Sequence, residues 1–157
     1  MPFASRTGMY LEDYAVGDAA ESPSRTVTES DITNFAGLSG DFNEIHVSET
    51  VSAAGQFGKR IAHGMLGLSI ATGLATQMGF MRDTVVAFRG LDWEFTAPIF
   101  IGDTIHASVA VTETKAMTRL GIGKVSFKVE VQNQAGIVCQ RGNWHLLVKM
   151  RPAAALI

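Results

Sequence analysis

The chain of 157 residues has a single cysteine, Cys139, so no internal disulfide can form and a reducing compartment is expected. Charge is scarce as well: 18% of residues are charged, the net charge is −2, and no run of Lys or Arg exceeds two residues. The electrostatic footprint of a nucleic-acid binder is therefore missing. No linker, low-complexity tract or internal repeat divides the sequence, which predicts one domain, large enough to bury a core without staples. The first eight residues are neither basic nor followed by an apolar core segment, so no secretory leader is read there. These absences predict a cytoplasmic globular protein. One apolar stretch, residues 61–80, approaches the roughly 20 residues of a membrane span. It carries His63, Ser69, Thr72, Thr76 and Gln77 and lacks a basic flank, so it reads as a core helix and no membrane partner is expected.

What is present is apolar, 46% of the chain, a share that favours an oligomer hiding part of its surface. Thr28-Glu29-Ser30-Asp31 sets an N-cap ahead of an acid at the third helical position, opening a helix through Ile32, Phe35 and Ala36. Gly37 to Gly40 ends it, and Asp41 to His46 follows as a polar loop. Ser48 caps a brief helix over 49–54. A long helix is expected over 64–79, where Gly67, Ala71, Ala75 and Gly79 form a row of small side chains that lets a sheet come close. Met65, Leu66, Leu68, Ile70 and Leu74 on its other faces predict burial nearly all round.

Beyond that helix the period changes to two. Leu91, Trp93 and Phe95 share one face of a strand, as do the series from Ile105 to Val111 and from Val125 to Val131. Val138, Trp144, Leu146 and Val148 share the last, and Gly102-Asp103 and Gly121 to Gly123 supply turns. Alternation of this kind predicts an antiparallel sheet with one wet face. With a further strand near 21–27, the expectation is an α+β hotdog fold, a curved antiparallel β-sheet wrapped around a long central helix. A loose N-terminus over 1–10, one domain over 11–150 and a short tail over 151–157 complete that reading.

The chemistry concentrates in Asp41-Phe42-Asn43-Glu44-Ile45-His46 and in His63-Gly64-Met65, which opens the long helix. A carboxylate and an imidazole stand five residues apart, ahead of a helix start whose free N–H groups favour negative charge. That set suits adding water to an activated double bond. The plainer alternative makes Asp41 and His46 turn and capping residues. Asn43 reads as fixing the loop or a water, and His63 as a structural neighbour of the helix start. His106 and His145 lie in strands without an acidic partner in sequence. No pair of His residues has zinc-ligand spacing, so no metal is expected. Gly67-Leu68-Ser69 falls inside a helix, which rules out a nucleophile elbow. Ser69, Thr72 and Thr76 read as hydroxyls bonding back to their own helix. Cys139 reads as a small buried strand residue.

Gly40-Asp41-Phe42-Asn43-Glu44-Ile45-His46 and Phe57-Gly58-Lys59-Arg60-Ile61-Ala62-His63-Gly64-Met65 resemble the hydratase motif of the MaoC-like, (R)-specific enoyl-CoA hydratases. Tyr14 to Asp18 and Phe95 to Thr104 match further landmarks, so the resemblance runs over about residues 11–149. It implies Asp41 and His46 as the catalytic pair, the Gly64 N–H as the oxyanion donor, and Thr72 as a helix hydroxyl near the site, where some members carry serine. It also implies an acyl-CoA thioester substrate, with a carrier-protein thioester as the other option. No cofactor is implied. A site at the interface of a homodimer, or of a higher multiple of dimers, is. One departure is Glu44, where many members have proline. Lys59, Arg60, Lys149 and Arg151 are candidates for the CoA phosphates on charge alone. A hotdog thioesterase and a non-catalytic acyl-CoA-binding subunit are the competing readings.

Overall fold

The alternating segments pair as one antiparallel sheet in the computed structural model, which describes residues 6–152. Strands β1 (Ala19–Glu21), β2 (Arg25–Thr26), β3 (Val85–Phe95), β4 (Thr104–Met117), β5 (Ile122–Gln132) and β6 (Val138–Lys149) make it up. Their order is β1-β4-β5-β6-β3, with β2 also pairing β4. The single strand expected near 21–27 is thus two short ones. Ser22 between them donates its N–H to Ala107 and takes the Ala107 N–H on its hydroxyl.

The helices are α1 (Glu29–Ser39), α2 (Glu44–Val47), α3 (Glu49–Ala53) and α4 (Gly64–Gln77). The Thr28 hydroxyl and the Asp31 carboxylate form a reciprocal capping box at the start of α1, and Gly40, at φ 79°, closes it in the left-handed region. Ser48 caps α3 as expected. His46, read as loop, belongs to the single turn α2, because the Asn43 side chain accepts the Ile45 N–H and starts a helix there.

The concave face of the sheet packs on α4 and gives one core. Ile105, Ala107, Val109, Val111, Val125, Phe127, Val129, Val131, Trp144, Leu146 and Val148 meet Leu66, Leu68, Ile70, Ala71, Leu74 and Ala75 there. This is the hotdog arrangement. Helix α4 ends at Gln77, two residues early, since Gly79 takes φ 84° as a turn residue. Burial all round is also corrected: Met65, Ser69, Gly73, Thr76 and Gln77 are exposed, because one sheet covers one side of a helix.

Strand β3 departs from its predicted pattern. It is an edge strand, and Val86, Phe88, Leu91 and Phe95 stay exposed within the chain. Of the loose N-terminus, residues 1–5 lie outside the described residues. The chain is held by Gly8 and Met9, whose N–H groups reach Gly79 and Phe80, and Met9 is buried. Residues 153–157 of the tail also lie outside the described residues. Cys139 is buried in β6, its sulfur 3.8 Å from the Pro98 carbonyl. Among the described residues no helix is long and apolar enough to cross a membrane.

Candidate active site

The loop after α1 is built by local hydrogen bonds. The Ser39 hydroxyl accepts the Asp41 N–H at 3.2 Å, and the Asp41 Oδ1 accepts the Asn43 N–H at 3.2 Å. Such Asx geometry orients the carboxylate from its own backbone. Glu44 is the first residue of α2, a position where proline and an acidic residue are each favourable, so its replacement of proline leaves the turn intact.

One tether brings the distant half of the motif to this loop, and a second fixes it to the segment after β3. The Ile61 N–H reaches the Ile45 carbonyl at 3.2 Å, and the Ala62 N–H reaches Ile99 at 2.8 Å. His46 is buried, and its Nδ1 lies 2.8 Å from the Ile61 carbonyl. Because a carbonyl only accepts, Nδ1 carries a proton, and the tautomer this selects has its bare nitrogen at Nε2. That Nε2 stands 3.9 Å from the Asp41 Oδ2, beyond direct hydrogen bonding and within reach of one shared water. The Asp41 side chain remains half exposed while that of His46 does not.

His63 supports this pair from below. Its Nε2–H donates to the Asp41 carbonyl at 2.9 Å, and its ring stacks on His46 at 3.8 Å and leans on Phe35 at 5.0 Å. Its Nδ1 is buried without a partner among the described residues. Asp41, His46 and His63 offer donor atoms within 4.8 Å of one another, a grouping that spacing in the sequence did not show. The imidazoles are stacked 3.8 Å apart and only 26° from parallel, and His63 Nε2 is engaged by the Asp41 carbonyl, so the two ring planes do not meet at one ion.

Gly64 is the first residue of α4, so its N–H has no acceptor within the helix, and the His63 side chain makes no cap bond. It lines a cavity of about 460 Å³ together with His46, Phe57, Met65, Phe95 and Gln140. The cavity wall is mostly apolar, suited to an acyl chain. A Cβ on Gly64 would lie 2.7 Å from the Phe95 ring, so glycine is the residue this contact permits. Thr72 is not brought here within one chain. Its hydroxyl bonds back to Ser69 at 2.7 Å, and it lines a second cavity of about 260 Å³ with Thr76, Met81, Val85, Phe88 and Trp144.

Of the four candidate phosphate cations, three are committed elsewhere. Arg60 bridges Glu29 and Glu49, Lys149 donates to the Asp83 carbonyl, and Arg151 pairs with Asp13. Lys59 lies 4.2 Å over the Phe100 ring, next to the residues that line the larger cavity. His145 lies 2.9 Å from the Ser126 hydroxyl, which also contacts Glu113. Here serine, not histidine, bridges the other two, so no relay to a nucleophile results.

Sequence reasoning missed Phe95, Trp93 and Gln140. Gln140 is buried, donating to the Gly64 carbonyl at 3.0 Å and accepting from Trp93 Nε1 at 3.0 Å. The available signal was a polar residue in phase with the apolar face of β6.

A family model described as MaoC like domain matches residues 13–134. The (R)-specific enoyl-CoA hydratase of Rhodospirillum rubrum is 37% identical over 134 residues, covering 82% of this chain and 90% of that protein. Protein MaoC of Klebsiella aerogenes is 38% identical over 97 residues, 62% of this chain, and the match spans only 29% of that longer protein. Among solved structures, the monoamine oxidase regulatory protein from an Archaeoglobus species superposes with a TM-score of 0.86 at 38% identity. That match covers 94% of this chain and 99% of the other.

Proposed function

The chain belongs to the MaoC-like dehydratase family, and from that premise we propose that it adds water reversibly to a trans-2-enoyl thioester, giving the (R)-3-hydroxyacyl thioester. The observation that carries this reading is the 3.9 Å separation of Asp41 Oδ2 and His46 Nε2 beside the cavity that Gly64 lines. Both atoms are acceptors, so one water can donate a hydrogen to each. Its oxygen then attacks C3, Asp41 takes the proton released, and the proton is returned to C2. His46 orients that water and shares the transfer. Negative charge builds on the thioester oxygen, where the Gly64 N–H at a helix N-terminus stabilises it. Asn43 holds the loop in this reading, and His63 holds the Asp41 backbone and the face of His46. Lys59, over the Phe100 ring, offers a cation to the CoA phosphates.

A second copy of the chain completes the assembly. Edge strand β3 exposes Val86, Phe88, Leu91 and Phe95, an apolar strand edge suited to two-fold pairing into a homodimer. Incubation with crotonyl-CoA tests the activity. Loss of enoyl absorbance with the thioester intact is the expected result. Release of free thiol would instead mark a thioesterase, and binding without turnover a carrier of acyl groups.

A further inference from the structure

The first turn of α4 is poorly equipped to hold itself. It contains Gly64 and Gly67, residues that cost helix stability, and its N-cap residue His63 gives it no side-chain bond. An oxyanion donor works only when it is aimed before the reaction begins. The peptide that carries the Gly64 N–H is held by the helix through its His63 carbonyl, which accepts from Leu66 and Gly67, and the next peptide, whose carbonyl is that of Gly64, gains an anchor from outside.

The sheet supplies it. Phe95 on β3 and Gln140 on β6 are cross-strand partners, and both meet this turn. The Phe95 ring lies against Gly64 where a Cβ would otherwise be. The Gln140 amide occupies the corresponding space at Gly67, with its Nε2 2.2 Å from the position of an added Cβ. From there Nε2 donates to the Gly64 carbonyl, while Oε1 is held by Trp93 Nε1, so the amide cannot rotate without losing both bonds. The two glycines thus remove side chains so that two strand residues can reach the helix backbone.

We infer that Gln140 is a positioning residue for the thioester-oxygen site: anchored by Trp93, it fixes the Gly64–Met65 peptide and so, across the Gly64 Cα, limits the swing of the adjoining peptide that carries the Gly64 N–H. The inference rests on the hydratase reading for the role of Gly64. Gln140 touches no reacting atom in this scheme and acts through Gly64.

The test uses Gln140→Met, which keeps length without hydrogen bonds, and the paired change Gly67→Ala with Gln140→Ala, which exchanges volume between facing positions. Hydration of crotonyl-CoA should lose about 10- to 100-fold in kcat with KM changed by less than about threefold, as expected when a donor is misaimed and not removed. Infrared spectra of bound butyryl-CoA labelled at the carbonyl give a readout that packing alone does not move. The wild-type carbonyl band should fall to lower frequency on binding, and both variants should lose most of that shift. Folded variants with near wild-type kcat, or with the full carbonyl shift retained, would overturn the inference. If Gln140→Met fails to fold, the paired variant decides by the same criteria. A wild-type protein that binds butyryl-CoA with a shifted band yet hydrates nothing would refute the hydratase reading. Gln140 would still be tested through the band.

Discussion

At the scale of single residues, Asp41 and His46 stand 3.9 Å apart, the span that the proposed reaction fills with one water. Neither reaches the other directly, and each is oriented by a separate backbone contact, Asn43 N–H for the carboxylate and the Ile61 carbonyl for the imidazole. A positioned acid or base contributes roughly 10²–10⁴-fold, so Asp41→Asn or His46→Asn should each lose at least about 10² in kcat/KM. If both act on one water, the double variant should be little worse than the more damaged single. Steady-state hydration rates with circular dichroism as a fold control check this, and near wild-type activity in Asp41→Asn would make that residue a loop cap only. The proximity of these two side chains was legible because they share one short motif. The meeting of Gln140 and Phe95 with Gly64, and of Trp93 with Gln140, was not, because strand register decides it, across 47 positions between Trp93 and Gln140. Thr72 shows the same limit from the other side. The resemblance implied a place for it near the site, but within one chain its hydroxyl stays on its own helix.

Among the elements, α1 was read almost in full from local chemistry, since its cap, its acid and its terminal glycine all lie within its own residues. Burial opposes ionisation of Asp31, yet hydrogen bonds from the Thr28 N–H and hydroxyl, with the Arg25 guanidinium alongside, hold its carboxyl below the ordinary 3.8. A lowered folded pKa means a contribution present at neutral pH and lost as the pH falls through the folded value. Thr28→Ala should cost about 1 kcal/mol in urea unfolding. The stability deficit of Asp31→Asn should be full at neutral pH and close as the pH drops below 3.8. A deficit that is the same in acid would remove the carboxylate from that cap. For α4 and β3, by contrast, the apolar pattern counted surface that the chain itself does not cover. Composition marks a residue for burial without saying which molecule buries it.

For the whole molecule, the two edges of the sheet are unequal. One ends in β1 and β2, of three and two residues, while the other ends in β3, of eleven. Short edges resist pairing and long apolar ones invite it. Lysines at Val86 and Leu91 should therefore give a protein that sediments as a monomer at micromolar concentration and loses activity, while the wild type sediments as a dimer or a multiple of it. A stable, active wild-type monomer would contradict the assembly.

The single sulfhydryl bears on the choice between hydration and hydrolysis. Burial, with Asp103 nearby, raises the pKa of Cys139, which leaves the folded protein without a surface thiolate. A colorimetric thiol reagent added to a reaction mixture should therefore stay blind to the enzyme itself. Any signal it develops counts coenzyme A set free, so slow hydrolysis can be followed even at high enzyme concentration, where a protein with reactive cysteines would mask it.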